Sequence, residues 1–401
     1  MRFLARCCLL LLVPAALDAQ GAAPGMITIG RADSIWSPTL KETRRYLIYT
    51  PASYTQSPYQ QHRYPVLYLL DGDGHFHSMT GVIQFLSTGM NGTYVVPEMI
   101  VVAIPNTDRT RDLTPTKAPL GADGKLAPFY ATSGGGKEFL KFLKSELIPH
   151  IDSTLRTEPY RVLVGHSLGG ITTIDALYTM PDVFNAYVAI DPSLWYDNQV
   201  LLKKAKDYFS QPAPPARALF VAHANTLVAG DTAPSTHFRS IGEFVRVVES
   251  GNRSGIRYAY KYYGNDDHGS VPSMAEYDAL RFIFDGYKLD VRKSVRQPAL
   301  ISTHFDSVSK RLGYRVRPPE KLVDRIAPLD SSSTVALLRL NTEQYPNSAH
   351  AFQVLGTALL ARRDTASARS ALGRALELDP KNQPAKDALA RLSGASGGPR
   401  E

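Results

Sequence analysis

Cysteine is almost missing from this 401-residue chain. Its two copies, Cys7 and Cys8, stand side by side near the start, and residues 9–401 carry none. That excludes disulfides, a thiol nucleophile and a cysteine metal site from the bulk of the chain, which must hold together through its apolar core. Long hydrophobic runs are equally scarce. The run from Cys7 to Val13 is too short to span a bilayer, which takes about 20 residues. Arg2 and Arg6 precede it and small residues follow. It therefore predicts a cleavable secretory signal over 1–19, cut after about Ala19, and an exported protein, periplasmic or extracellular, with no stable membrane span.

Charge of one sign is in modest excess. The formal net charge is +8, and +7 once Arg2, Arg6 and Asp18 leave with the signal. No basic run is interleaved with stacking aromatics, so a single-strand nucleic-acid groove is excluded and nucleic acid is not an expected partner. The excess serves solubility and favours anionic ligands. "SGGGKE" (133–138) lacks the spacing and the Ser/Thr of a phosphate loop. "HFH" (75–77) has no carboxylate or third histidine near it in sequence, so no metal is expected there.

What is present is ordinary globular composition, 44% hydrophobic and 20% charged, with length for one large core and a small second domain. From Ile27 to about Tyr287, short β-rich apolar runs alternate with helical patterns. The clearest strands are 66–72, 99–106, 161–165, 186–191, 218–224 and 257–264. Their continuous apolar character fits strands buried on both faces, hence an α/β fold with a mainly parallel sheet covered by helices on both sides. A helix is predicted over 136–152, with Phe139, Phe142, Leu143 and Leu147 on one stripe.

"RPPEK" (317–321) marks a domain boundary, beyond which the β signal stops. The reading is a hydrolase-sized domain over 27–290, a linker and docking helix over 291–318, a helical domain over 319–393 and a disordered tail over 394–401. In the docking segment Phe305, Val308, Leu312 and Val316 recur about one turn apart, and their nearest apolar partner in sequence is 280–287. Pro346 and Pro380 are 34 residues apart, the tetratricopeptide period, and Phe352, Leu355, Gly356, Leu359, Ala368, Leu372 and Ala375 fall on that repeat's other packing positions. Residues 349–382 thus resemble one tetratricopeptide repeat, with a degenerate copy before it and a capping helix from about Pro384.

The chemistry gathers at "RVLVGHSLGG" (161–170). A strand pattern runs into Ser167 and a helix pattern leaves it. That is where a nucleophile elbow must lie: Gly165 and Gly169 lack a Cβ, so strand and helix can close around a strained serine. Serine still needs a base. In this fold the order is serine, acid, histidine. His237 and His268 are the histidines that follow Ser167 outside the predicted strands and the helical tail. His268 stands in "NDDHGSVP", the loop after the last predicted strand, where the base belongs.

Taken together, "YPVLYLLDG" (64–72), "RDLTP" (111–115), "GHSLGG" (165–170), "DPSLWY" (191–196) and "HGSVP" (268–272) resemble an esterase family of α/β hydrolases. It holds esterase D, feruloyl esterases, siderophore esterases and mycolyltransferases. The resemblance implies an α/β-hydrolase fold and hydrolysis of a small-molecule carboxylic ester without metal or cofactor. The acid is expected in 225–238, after the strand 218–224, where Asp231 is the only carboxylate; Asp266 and Asp267 are the alternatives beside His268, and a Ser-His dyad is a third. For the oxyanion hole, the backbone N–H of Leu168 is expected to be joined by Asp73 or Gly72. Trp195 and Tyr196 are expected to wall the substrate pocket. Two other readings remain: acyl transfer with the same residues, and a non-catalytic protein-interaction module carried by the repeat.

Overall fold

The computed structural model describes residues 27–394, apart from 56–57, 60–61, 89–93, 119–124, 126, 212–216 and 229–232. The signal segment, Asp231 and residues 395–401 lie outside the described residues.

One eight-stranded sheet organises the chain. Its strands are β1 (Arg31–Ser37), β2 (Glu42–Tyr49), β3 (Tyr64–Leu70), β4 (Ile100–Ile104), β5 (Thr157–His166), β6 (Ala186–Ile190), β7 (Arg217–Ala224) and β8 (Ile256–Tyr263), in the order β1-β2-β4-β3-β5-β6-β7-β8. β1 pairs antiparallel with β2, and β2 with β4; the other pairs are parallel. The six parallel strands are those the continuous apolar runs predict. β1 and β2 escape that signal because they form an edge hairpin. β1 is mostly exposed, and β2 alternates buried Arg44, Tyr46 and Ile48 with more exposed neighbours.

Both faces of the central strands are covered. On one face Leu67, Leu69, Val162, Val164, Val188 and Phe220 meet the helices Gly72–Ser87 and Val271–Ile283. On the other, Val66, Tyr68, Leu163, Tyr187 and Leu219 meet the helices Leu168–Thr179, Tyr196–Tyr208 and Thr236–Ser250 and the helical stretch 136–154. Within that last stretch the predicted helix widens into a π turn at Leu143–Leu147, just before Pro149. A wide turn there spares a bond that proline cannot donate.

The C-terminal helices continue the first of these cores. Phe305, Val308, Leu312 and Val316 are buried in one cluster with Leu280, Ile283, Phe284 and Tyr287, and the rings of Tyr287 and Phe305 meet edge to face at 5.8 Å. Farther on, the helices Ala349–Ala361 and Thr365–Leu378 form a hairpin at a glycine. A Cβ on Gly356 would stand 2.6 Å from Leu372 Cγ, so only a residue without one lets the two helices come this close. Among the described residues no helix is long and apolar enough to cross a membrane.

Candidate active site

Parallel strands present their C-terminal ends at one sheet edge, and β5, β6 and β8 each deliver a functional side chain there. Ser167 sits between β5 and the helix Leu168–Thr179 with φ 60° and ψ −116°, a backbone that L-residues rarely adopt. The turn exists because its glycines allow it. A Cβ on Gly165 would lie 2.2 Å from Gly169 O, and one on Gly170 would lie 2.9 Å from Pro192 Cα. Backbone bonds then fix the serine against the next strand: Ser167 N donates to Ile190 O, and Ser193 N donates to Ser167 O, each at 3.0 Å.

Ser167 Oγ lies 3.1 Å from His268 Nε2, and His268 Nδ1 lies 2.6 Å from Asp191 Oδ2. These three groups form the connectivity that a base-activated serine requires: an imidazole that can take the hydroxyl proton, oriented from behind by a carboxylate. Ser193 Oγ stands 3.2 Å from Ser167 Oγ as a second partner for the hydroxyl.

The carboxylate behind His268 is therefore Asp191, which the sequence reading did not select. Asp191 follows β6 directly, in the left-handed region (φ 39°), and its side chain is fully buried. Its backbone N–H donates to Ala222 O, and its Oδ1 accepts from Ala224 N at 2.8 Å, so the end of β7 holds it in place. Its Oδ2 also meets His237 Nε2 at 2.8 Å. Burial works against the charge, but the hydrogen bonds from His237 and His268 outweigh it and hold the carboxyl well below the usual range. The signal available in sequence was "AYVAID", an apolar strand ending on an aspartate beside the elbow strand. The sequence reading takes it as a strand only and places the acid in 225–238.

Asp266 and Asp267, the alternatives considered for the acid, build the loop instead. Asp267 Oδ1 accepts from the N–H groups of Gly269 and Ser270, and Asp266 O accepts from Asn225 N. These three bonds shape the turn that presents His268.

Leu168 opens the helix behind Ser167, and Gly72 and Asp73 open the helix Gly72–Ser87. First-turn N–H groups have no intrahelical acceptor, so both helix starts can donate to a developing oxyanion. The two starts are neighbours, since a Cβ on Gly169 would lie 3.2 Å from Asp71 Oδ2. Asp71 itself, at φ 53°, is gripped by Arg109, whose Nε and Nη2 stand 2.6 and 3.0 Å from its two oxygens, and by Asn106 Nδ2 at 2.7 Å. Burial opposes that charge and the Arg109 fork outweighs it, so the carboxyl is held below its ordinary value. Arg109 Nη2 also reaches His166 O at 3.3 Å, tying the loop after β3 to the elbow. Asp71, Asn106 and Arg109 were not selected from sequence, because nothing local links residues more than thirty positions apart.

The histidines near the mouth differ in kind. His166 lies against His268 with ring centres 4.5 Å apart; burial, then the neighbouring His268 and His75, push its pKa down to about 4, which leaves it neutral at pH 7. Of the "HFH" pair, His77 is exposed and His75 Nδ1 stands 3.8 Å from the buried Glu276. Of the expected pocket wall, Trp195 keeps a partly accessible ring, whereas Tyr196 is buried and donates to Thr116 O. Tyr196 therefore supports the wall from behind, and Tyr130 packs between the two rings. Two groups of side chains could ligate a metal among the described residues: Asp191, His237 and His268 here, and Glu320, Asp324 and His350 elsewhere.

A parallel sheet of this order, with a strained serine on its elbow, defines an α/β hydrolase. Residues 37–265 match the family described as "Putative esterase". The ferri-bacillibactin esterase BesA of Bacillus subtilis is 28% identical over 278 residues, 66% of this chain and 93% of that protein. The crystal structure of an IroE-like serine hydrolase from Shewanella oneidensis is 33% identical and superposes with a TM-score of 0.71, covering 78% of this chain and 99% of that one. An uncharacterised protein from Capnocytophaga ochracea, 15% identical, shares the fold over 92% of this chain and 100% of its own, with a TM-score of 0.58. The chain belongs to that esterase family and is a carboxylic ester hydrolase.

Proposed function

We propose that this chain is an exported serine esterase that cleaves siderophore-type esters through Ser167, His268 and Asp191. The observation that carries the reading is the run of close contacts from Ser167 Oγ through the His268 ring to Asp191. Ser167 Oγ attacks the ester carbonyl carbon while His268 Nε2 takes its proton. Asp191 holds the ring and offsets the imidazolium charge. The N–H groups of Leu168 and of Asp73 or Gly72 receive the negative oxygen. Collapse of that intermediate expels the alkoxide, which His268 protonates. The resulting acyl-Ser167 ester is then cleaved by water that gives its proton to the same nitrogen, and His268 returns that proton to Ser167 Oγ as the carboxylic acid leaves.

The siderophore preference is supported by the relatives, among them the B. subtilis ferri-bacillibactin esterase and a siderophore enterobactin esterase of Emericella nidulans, 32% identical over 165 residues. The net positive charge suits an anionic ferric complex. Export rests on the N-terminal signal pattern, and N-terminal sequencing of the protein recovered outside the cytoplasm should find the chain starting near Gln20. The substrate test is a turnover screen of the purified chain against a catecholate trilactone, its ferric complex, feruloyl esters and p-nitrophenyl esters. The trilactones should give the highest kcat/KM. A clear preference for feruloyl esters would overturn the siderophore assignment and leave the esterase mechanism standing.

A further inference from the structure

Ser167, Asp191 and His268 occupy the C-terminal edge of the parallel strands. At the opposite edge, the loop before β3 meets the C-terminal helices, and a second group of titratable side chains is gathered there. Glu320 and Asp324 lie one turn apart on the helix Glu320–Ile326, and His350 lies in the first turn of the helix Ala349–Ala361. One ligand atom from each falls within 4.8 Å of the others, and His350 Nε2 stands 2.8 Å from Asp324 Oδ2.

This placement is costly for a plain pair of carboxylates. Like charges four apart on a helix repel, and Glu320 is 1% exposed. A buried charge needs a paired charge or a metal. The ion-pair partners these carboxylates meet are imidazoles, His62 for Glu320 at 3.0 Å and His350 for Asp324. The fully buried Asn341 adds a second observation. Its Nδ2 donates to Asp324 Oδ1 and Glu320 O, yet its own Oδ1 has no hydrogen-bond partner among the described residues.

We propose that Glu320, Asp324 and His350 form a divalent transition-metal site of the zinc class, which ties the helix Glu320–Ile326 to the helix Ala349–Ala361. One imidazole nitrogen with two carboxylate oxygens suits zinc and its neighbours better than calcium or magnesium, which take oxygen donors. The outer support that metal carboxylates require is in place: Tyr59 Oη donates to Asp324 at 2.9 Å, Ser348 Oγ to Glu320 at 2.6 Å, and His62 grips Glu320 from the hydrolase side. A cavity of about 860 Å³ lined by His62, Glu320, Tyr345 and His350 opens beside two of the three ligands. All three ligands follow residue 318, and Tyr59 and His62, which precede β3, reach the site through the ligand carboxylates.

The test uses the full chain, stripped with a chelator and titrated with Zn²⁺ by calorimetry and with Co²⁺ by visible absorption. Wild type should bind, gain thermal stability with Zn²⁺, and show the d–d bands of low-coordinate Co²⁺. Asp324→Asn and His350→Gln should each weaken binding by about 10- to 100-fold or more, while keeping wild-type circular dichroism and small-ester turnover. His268→Gln, which dismantles the other candidate group, should leave the Co²⁺ spectrum intact. No binding by wild type would overturn the proposal. So would binding that survives Asp324→Asn and His350→Gln but is lost in His268→Gln. If either of the first two variants fails to fold, a wild-type melting temperature unmoved by Zn²⁺ or chelator overturns it as well.

Discussion

His237 and His268 meet at a single oxygen: their ring nitrogens stand 2.8 and 2.6 Å from Asp191 Oδ2, and the rings cross at 88° with centres 5.1 Å apart. One buried carboxylate thus serves two imidazoles, of which only His268 reaches Ser167.

Asp191→Asn keeps the shape and removes the charge that orients His268. Turnover should fall by about 10²- to 10⁴-fold with little loss of fold. Asp266→Asn and Asp267→Asn disturb only the loop and should cost far less. Steady-state kinetics on one chromogenic ester rank the three, and a larger loss at Asp267 than at Asp191 would move the acid.

His237→Ala removes one of the two side-chain hydrogen bonds to Asp191 Oδ2 and should cost less turnover than Asp191→Asn. Steady-state kinetics on the same ester rank the two, and a larger loss at His237 would show that His237 matters more to the site than the carboxylate behind His268.

Glu276 is an apparent misfit under the active site. Burial pushes its carboxyl up to about 8, the Ser78 hydroxyl offsetting part of this. In the unfolded chain it titrates near ~4.3. The folded protein therefore holds a proton between these values that the unfolded chain has released, so stability falls as pH rises through that window. Glu276→Gln should leave the melting temperature nearly unchanged at pH 5 and raise it by several degrees at pH 9. Parallel melting curves for both proteins across that range would rule out a protonated buried Glu276.

Cutting the chain after Tyr287 strips Phe305, Val308, Leu312 and Val316 from the core they share with Leu280 and Phe284. The product should aggregate or melt well below the full chain. Cutting after Arg317 keeps that stripe and should keep turnover of a small ester per folded molecule. Loss of chemistry in the longer piece with its fold intact would mean that the helices beyond Arg317 shape the active site.

The parts of this site that sequence shows are those written in adjacent residues. The strand, the serine between glycines and the following helix are contiguous, so the elbow is readable. His268 follows from its place after the last strand. Asp191 obeys the expected order of serine, acid and histidine, but it comes one strand earlier than the loop searched for it. The reason is geometric: β6 lies next to β5, so an aspartate at its end needs no long loop to reach behind the histidine. The grip of Arg109 on Asp71 is invisible for a different reason, since it joins two loops that only the sheet brings together. The edge hairpin β1–β2 was missed because its exposed face breaks the apolar run by which the buried strands are found.

The central claim is that Ser167 is the group that attacks the ester. A fluorophosphonate probe followed by peptide mapping tests it most directly. Wild type should carry one adduct, on the peptide containing Ser167, and Ser167→Ala with wild-type circular dichroism should carry none. Equal labelling of Ser167→Ala, or an adduct mapped to Ser193, would contradict the account.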